Sequence, residues 1–392
     1  MKENYDIVVV GAGPAGSSAA KTAAKNGASV ALLERRKEIG APVRCGEGVG
    51  LHWIQDFGMK VSDKAISARI NGAILYAPDL KHSATIRNEQ TKGVVVDRKV
   101  FDKELAIDAG RAGAEVYVKT EVVDVLKSGG KISGVRARTD GENVDVLGEI
   151  VIAADGGESV ISRLAGLNTL ATLYDTDFGI EYEMVNVDCT DLIEIYFGKE
   201  WAARGYVWVF PKGEDVANVG VGVGGMEKGN AIDYLNKFLK LPRFARAQPV
   251  AVKAGLIPVG SAVKKMVLDN FMVAGTAAHQ VDPIHGGGIC LAMEAGALAG
   301  EVAAKAIEEG DASEKKLAEY EKRWRGKEEG KLAKRLLLRK VLEKLNDDDL
   351  NAIFENLNDR DIENLLEGSF APVVKKVLSR RPQLLKVVGA LV

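Results

Sequence analysis

Gly11, Gly13 and Gly16 stand at G-x-G-x-x-G spacing in Gly11-Ala-Gly-Pro-Ala-Gly16, directly after the apolar, β-branched run Tyr5-Asp-Ile-Val-Val-Val10. This spacing suits one chemistry, the binding of a pyrophosphate. Gly11 allows a tight turn, Gly13 lets phosphate approach the backbone, and Gly16 lets the following helix pack closely on its sheet. The phosphates then rest on the first N–H groups of that helix, Ala15 among them, at the positive end of its dipole. Pro14 suits a first helical turn, where its missing N–H costs nothing. An alanine-rich segment follows to Asn26, and a second apolar run ends in Glu34, with Arg35 beside it. A carboxylate there accepts hydrogen bonds from an adenosine ribose. Strand, turn, helix, second strand and carboxylate are all in register, which favours a dinucleotide site over an ordinary glycine turn in a βαβ unit.

The rest of the chain must position that site. Its 392 residues exceed one ordinary core, so two or three packed units are expected. Hydrophobic residues make up 46%, charged residues 28%, and the formal net charge is −2, a balance without the basic excess of a nucleic-acid binder. The first strand begins at once and no apolar run approaches the ~20 residues of a membrane span, so a cytoplasmic protein is expected. Cys45, Cys189 and Cys290 are too scattered for a disulfide framework, a zinc site or an iron–sulfur cluster. With four histidines at no ligand-like spacing, no metal is expected.

A polar, glycine-rich loop, Arg35 to Gly48, follows Glu34. Cys45 lies in it between Arg44 and Gly46, and two readings are open: a thiol of lowered pKa that donates a proton or senses redox state, or a small packing residue. Short β-like runs, Ala73–Tyr76 and Val94–Val96, break the βαβ pattern and mark a departure into a second sheet. A helix begins at Asp97-Arg98 with Phe101, Leu105 and Ile107 on its apolar side. Strands at 115–118 and 121–125 and a hairpin through Gly129-Gly130 come next, then a buried strand, Glu149–Ala154, ending in Asp155-Gly156. Residues 176–260 alternate like an antiparallel sheet, and period two puts Tyr206, Trp208 and Phe210 on one face and Val207 and Val209 on the other. That aromatic face is either ordinary core or the lining of a ligand tunnel. Phe271–Gly275 reads as a last parallel strand, followed by Thr276, Asp282, Gly286, Gly287, Gly288 and a helix from Ile289. Beyond Gly310 the segments 315–345, 347–366 and 372–391 are charged and helical. Lys331, Lys334, Arg335, Arg339, Lys340 and Lys344 crowd one of them, either as a solvated face or as a contact for anionic lipid headgroups.

Five of these stretches, in order over residues 1 to about 310, resemble the geranylgeranyl reductases, flavoproteins that saturate prenyl chains, archaeal membrane-lipid chains among them. Pro42-Val-Arg-Cys-Gly-Glu-Gly48 is similar to a family signature beside the flavin, and Gly205-Tyr-Val-Trp-Val-Phe-Pro-Lys-Gly213 to the family's strand over the flavin, where it lines the substrate tunnel. The resemblance implies FAD held by Gly11, Gly13, Ala15, Gly16, Glu34 and Arg35, with Arg44, Cys45, Gly46 and Gly48 beside the ring. It adds contacts from Arg98, from the backbone near Val122, and from Asp155 near the pyrophosphate. Gly275, Thr276, Asp282, Gly286, Gly287, Gly288 and Ile289 match the second cofactor motif, whose triple glycine approaches the isoalloxazine ring. Thr276 departs from it: the family carries an aspartate there, which bonds the ribityl chain. The alternative for Arg98 is a surface charge at a helix N-terminus; His279 and His285 are expected to be loop hydrogen-bonders, with catalysis as the alternative.

The implied fold is α/β: a discontinuous FAD-binding domain of Rossmann type in the aromatic-hydroxylase group (1–65, 97–170, 262–310), an antiparallel β-sheet substrate domain (66–96, 171–261) and a helical C-terminal region (311–392). The implied activity is FAD-dependent reduction of isoprenoid double bonds in a prenylated lipid, with Tyr206, Trp208 and Phe210 lining the substrate and Cys45 as candidate acid. Electrons would come from an external nicotinamide, deazaflavin or ferredoxin, since no second G-x-G-x-x-G is present. Peripheral contact with the inner face of the membrane would run through the C-terminal helices. The competing readings are an aromatic-hydroxylase type monooxygenase and a flavin electron carrier to a quinone or partner protein. The carrier reading needs another redox centre, against the cysteine count.

Overall fold

Ile7, Val8 and Val9 are completely buried, as are Leu32 and Ile150 to Ala153, so the central strands of the first sheet read as continuous apolar runs, the pattern of a parallel sheet covered on both faces. The computed structural model describes residues 2–56, 61–87, 89–356, 361, 371–380 and 382. The chain forms two compact units. The first comprises Met1–Val43, Arg98–Ala171 and Gly260–Leu332, and the second Arg44–Asp97, Thr172–Val259 and Ala333–Val392.

In the first unit the strands Phe271–Val273, Glu142–Ala153, Asn4–Val10, Val30–Leu33 and Glu115–Tyr117 lie side by side and parallel, in that order. Thr120–Ser128 and Lys131–Thr139 add an antiparallel meander to Glu142–Ala153. Two helices, Pro14–Lys25 and Ile289–Glu309, meet through small residues: a methyl on Gly296 would come within 2.0 Å of the Ala15 carbonyl oxygen, and one on Gly300 within 2.2 Å of that of Ala19. The helix Arg98–Arg111 buries Phe101, Asp102, Ala106 and Ala109. Ile107 is 48% exposed, against expectation, because six positions on from Phe101 a 3.6-residue period turns it to the other side.

The second unit is built on a seven-stranded sheet in which Gln248–Pro258, at one edge, is followed by Thr176–Val185, Val216–Gly224, Tyr206–Gly213 and Ile193–Tyr196, all antiparallel neighbours. A three-stranded sheet pairs Gly48–Gly50 and Ile66–Ile70 with Gly93–Val96. That pairing groups residues 44–65, expected with the nucleotide domain, with the second unit. The C-terminal region is divided too: residues to Leu332 belong to the first unit and those from Ala333 to the second. The expected helices at 347–366 and 372–391 extend outside the described residues.

Arg339 departs from the expected basic face. It is 8% exposed, and its guanidinium donates to Asp177 at 2.7 and 3.0 Å and to Glu343 at 2.8 Å. Glu343 also accepts from Arg204 and from the Tyr174 hydroxyl. Lys331, Lys334, Lys340 and Lys344 remain exposed. Arg339 lies near the buried Leu338 and Val341 in helix Gly330–Leu342, on the stripe that docks on the sheet. Arg339→Met would leave the buried Asp177 without its cation and Glu343 with Arg204 alone. The expected loss is about 3–5 kcal/mol, read as a lower denaturant midpoint, while Lys340→Met, on the exposed face, should change it little.

Candidate functional site

The nucleotide cradle lies in the first unit. Gly11 has φ +97° and receives the chain end of the neighbouring strand: a methyl there would lie 2.5 Å from the Ala154 carbonyl oxygen. Its N–H donates to the Leu33 carbonyl at 2.8 Å, so the turn is tied to the strands on both sides. Gly13 caps the helix Pro14–Lys25 without a side-chain cap, and a methyl on it would meet nothing within 4 Å. Open space therefore faces an uncapped helix N-terminus, where an anion finds free N–H groups and a positive dipole end. Glu34 is held at the edge of this space. Its Oε2 accepts from the Ala12 N–H at 3.0 Å and its Oε1 from the Arg36 N–H at 2.9 Å. The Thr120 N–H donates to the Glu34 carbonyl at 2.8 Å, which brings the strand carrying Val122 beside Glu34.

The second cofactor motif closes on the same turn. A methyl on Gly275 would lie 2.7 Å from the Ala15 Cβ, and one on Gly288 3.7 Å from the Thr276 hydroxyl oxygen. Gly288 caps helix Ile289–Glu309, again without a side-chain cap. Asp282 is buried and shapes the loop, accepting from the Ile284 and His285 N–H groups at 2.8 and 3.3 Å. His285 Nδ1 accepts from the Gly287 N–H at 3.1 Å, and His279 Nε2 lies 3.1 Å from the Thr169 carbonyl oxygen. The His285 ring thus bonds within its loop, whereas the His279 ring reaches Thr169, outside it. Asp155 accepts from the Ser159 hydroxyl and from the Val160 and Ile161 N–H groups, which fixes the turn after Ala154. Arg98 donates both Nε and Nη2 to Asp102 at 2.7 Å, one turn along its helix. Arg35 pairs with Glu158 at 3.6 Å. A cradle with open space at Gly13, two uncapped helix ends and a fixed carboxylate fits a dinucleotide such as FAD.

In the second unit the residues Arg44 to Gly48 lie over the aromatic strand. A methyl on Gly46 would be 3.4 Å from Phe210 Cε2, 3.5 Å from Trp208 Nε1 and 3.6 Å from Glu181 Oε2. The Cys45 Sγ accepts from the Glu47 N–H at 3.2 Å, a contact that locks the turn. Strand register explains the surface below. Lys253, Glu181, Gly220 and Trp208 form one row across four strands. Glu183, Asn218 and Phe210 form the next row, and Gly255, Gly179, Gly222 and Tyr206 the row before. The Trp208 indole lies across Gly220, where a methyl would come within 2.4 Å of it. Val207, Val209, Val219 and Val221 point the opposite way, into an apolar core with Leu235 and Phe238. The aromatic face is thus the side of the sheet away from that core; Tyr206 and Phe210 are half-buried.

Sequence reasoning missed the charged cluster on this face. Glu47 is 1% exposed with φ +71°, and its Oε2 accepts from Lys212 at 2.7 Å, Lys253 at 2.8 Å and Asn218 at 2.8 Å. Glu183 Oε2 lies 3.0 Å from Lys212 and 3.1 Å from Lys253. Glu181 accepts the Trp208 indole N–H at 2.9 Å on one oxygen, while the other lies 3.2 Å from Lys253 Nζ and accepts no hydrogen bond among the described residues. Burial, opposed by Lys253 and the indole N–H, pushes the Glu181 carboxyl up to about 7. Burial alone would lower the Lys253 pKa, but the carboxylates around it win and raise it. A readable signal existed: Glu181, Glu183, Lys212 and Lys253 are charges at positions of period two inside otherwise apolar or glycine-rich strands.

Comparison with known proteins agrees with this geometry. Residues 6–177 match the FAD dependent oxidoreductase family. The fold and the cradle define an FAD-dependent oxidoreductase. Residues 175–257 match the geranylgeranyl reductase catalytic domain, the segment that carries Glu181, Trp208 and Lys253. The chain is 43% identical to a digeranylgeranylglycerophospholipid reductase of Methanocaldococcus jannaschii, covering 98% of each protein, and 42% identical to one of Methanothrix thermoacetophila, covering 94% and 96%. It belongs to the digeranylgeranylglycerophospholipid reductase family. The crystal structure of a geranylgeranyl bacteriochlorophyll reductase-like protein from Thermoplasma acidophilum matches with TM-score 0.90 and 34% identity over the whole of both chains. A flavin-dependent brominase shares the fold, with TM-score 0.74 and 21% identity over 93% and 94%.

Glu34→Ala would remove charge-assisted hydrogen bonds worth about 1.5–3 kcal/mol from the cradle. FAD should bind roughly tenfold more weakly or worse, as measured by fluorescence titration of the stripped protein, and FMN affinity should change less. Equal weakening of both would show that Glu34 only shapes the glycine turn.

Proposed function

We propose that the protein reduces the double bonds of geranylgeranyl chains in an archaeal ether lipid, with FAD as its cofactor. The observation that supports this most is that one chain carries both a dinucleotide cradle and an aromatic, glycine-rich sheet face, the latter inside the segment that matches the geranylgeranyl reductase catalytic domain. Gly11, Gly13, Ala15, Gly16 and Glu34 hold the adenosine and pyrophosphate, and Thr276 with Gly286, Gly287 and Gly288 the ribityl and ring portion. Reduced FAD supplies the hydride for the reaction. Tyr206, Trp208 and Phe210 line the prenyl chain, because an isoprenoid needs an apolar wall and Trp208 is fixed against Gly220 and Glu181. The reducing equivalents come from an external nicotinamide, deazaflavin or ferredoxin.

Among the described residues no helix is long and apolar enough to cross a membrane. The exposed Lys331, Lys334, Lys340 and Lys344 support a reading in which the lipid is reached at a membrane surface, each contributing about 1 kcal/mol of attraction to an anionic leaflet.

The test is an anaerobic incubation of dithionite-reduced protein with a geranylgeranylated glycerophospholipid, followed by mass spectrometry. The expected products gain hydrogens in pairs. In a parallel incubation with air admitted, oxygen incorporation would instead identify a monooxygenase, and an unchanged lipid in both, with electrons passed on to a quinone, a carrier. If the aromatic face lines the chain, Trp208→Ala should reduce activity on long prenyl chains more than on short ones. A uniform loss matched by a lower melting temperature would make Trp208 a packing residue.

A further inference from the structure

Saturating an isolated alkene by hydride addition needs a proton at the other carbon, since an unactivated double bond resists hydride attack alone. Cys45 is held as a turn-locking acceptor of the Glu47 N–H. The charged cluster beneath it has no other assigned task. We propose that Glu181 is the acid that protonates the alkene, and that Glu183 and Lys253 refill it from solvent. The proposal rests on the reductase reading above.

Geometry places Glu181 at the right point of the face. Its Oε2 is held by the Trp208 indole, the central side chain of the aromatic stripe, and lies 3.6 Å from where a side chain on Gly46 would begin. Its Oε1 accepts no hydrogen bond among the described residues, although the side chain is 3% exposed. Lys253 Nζ, 3.2 Å from that oxygen, opposes protonation, but burial of the carboxyl outweighs it. The surrounding charges point the same way. Glu47 lies in the loop above, with Arg44 near it; Glu183 is on Glu181's own strand, Lys253 on one neighbour and Lys212 on the aromatic strand. Three carboxylates face two lysines in direct ion pairs, so a proton on one carboxylate balances the group. Glu47 accepts three hydrogen bonds and Glu183 contacts both lysines, which leaves Glu181 as the carboxyl with room for it. A carboxyl pushed up to about 7 by burial is protonated in a large fraction of molecules near neutral pH.

The network also has an outlet. Glu183 is 26% exposed, Lys253 6% and Glu181 3%, with Lys253 Nζ 3.1 Å from Glu183 and 3.2 Å from Glu181. The order runs from solvent to the buried carboxyl. In the reaction the O–H bond of Glu181 breaks and a C–H bond forms at one alkene carbon, while the hydride from reduced FAD adds to the other. The alkene gains two hydrogens, FAD is left oxidised, and the Glu181 carboxylate regains its proton from water by way of Glu183 and Lys253.

Two measurements test this. The first is single-turnover oxidation of the reduced protein by a geranylgeranylated lipid, followed at the flavin band across pH. Wild type should hold a constant rate below about pH 7 and lose about tenfold per pH unit above it, because only the protonated acid is competent. Glu181→Gln, which keeps an acceptor for the Trp208 indole, should slow this step about 10²–10⁴-fold and abolish that limb. The FAD spectrum and reduction by dithionite should be unchanged. The second is infrared difference spectroscopy of wild type against Glu181→Gln, which reads the protonated-carboxyl stretch without substrate and should show it titrating near pH 7. An ionised Glu181 at pH 6, or a Glu181→Gln protein that keeps both rate and pH limb while Cys45→Ser loses them, would overturn the proposal. If wild type leaves the lipid unreduced while the infrared band titrates as expected, the reductase reading fails and the protonated Glu181 stands.

Discussion

The carboxylate of Glu47 organises the second unit. It is withdrawn from water and held by two lysines and an amide from three different strands, and its backbone sits in the left-handed region that a non-glycine residue rarely adopts. Removing an ion from water costs several kcal/mol, so such a group persists only when its partners are fixed in number and geometry. That requirement fixes the loop from Arg44 to Gly48 over the sheet and holds Lys212 and Lys253 in place. Through Lys253 it also sets the surroundings of Glu181. A hydrophobic residue at position 47 would fill the same space without this demand, which argues that the charge is kept for what it does to its neighbours.

The first unit solves a different problem with different means. Its cradle needs backbone N–H groups close to a ligand, and close approach is reached by deleting side chains. Gly11 receives the Ala154 carbonyl, Gly296 receives that of Ala15, and Gly275 accommodates the Ala15 methyl. The alanines and glycines of the two helices are therefore one device: they bring two helix N-termini to the same turn. Side-chain carboxylates in this unit, Glu34, Asp155 and Asp282, act largely by accepting backbone N–H bonds that hold the loops in shape. Thr276, where the family has aspartate, sits among buried alanines in the last of these loops.

The two faces of the Tyr206–Gly213 strand divide structure from chemistry. The valines pack with Leu235 and Phe238 in an apolar core, bordered on the neighbouring strand by the buried Glu194, paired with Arg243, and the aromatic side carries the Glu47 cluster. A sheet with one such face is stable without it, so that face is free to carry polar groups that a core would exclude.

Local signals settled much of this protein. The Gly11–Gly16 turn, Glu34 and the loop at Gly286–Gly288 were legible because each needs only neighbouring residues to define its backbone. The alternation of Tyr206, Trp208 and Phe210 with Val207 and Val209 was legible because a strand turns its side chains by a fixed half-turn. Ile107 and Arg339 were misplaced, since residue type says less than the helical angle about which way a side chain faces. The charges of the cluster were visible in the strands, but which of them meet was decided by tertiary structure. Glu47 meets Lys212, Asn218 and Lys253 across 165, 171 and 206 residues of sequence. Those encounters follow from strand order and register, which put Lys253, Glu181 and Trp208 in one row. No periodicity along the chain encodes that row, because a one-residue slip of any strand would turn its side chains to the opposite face.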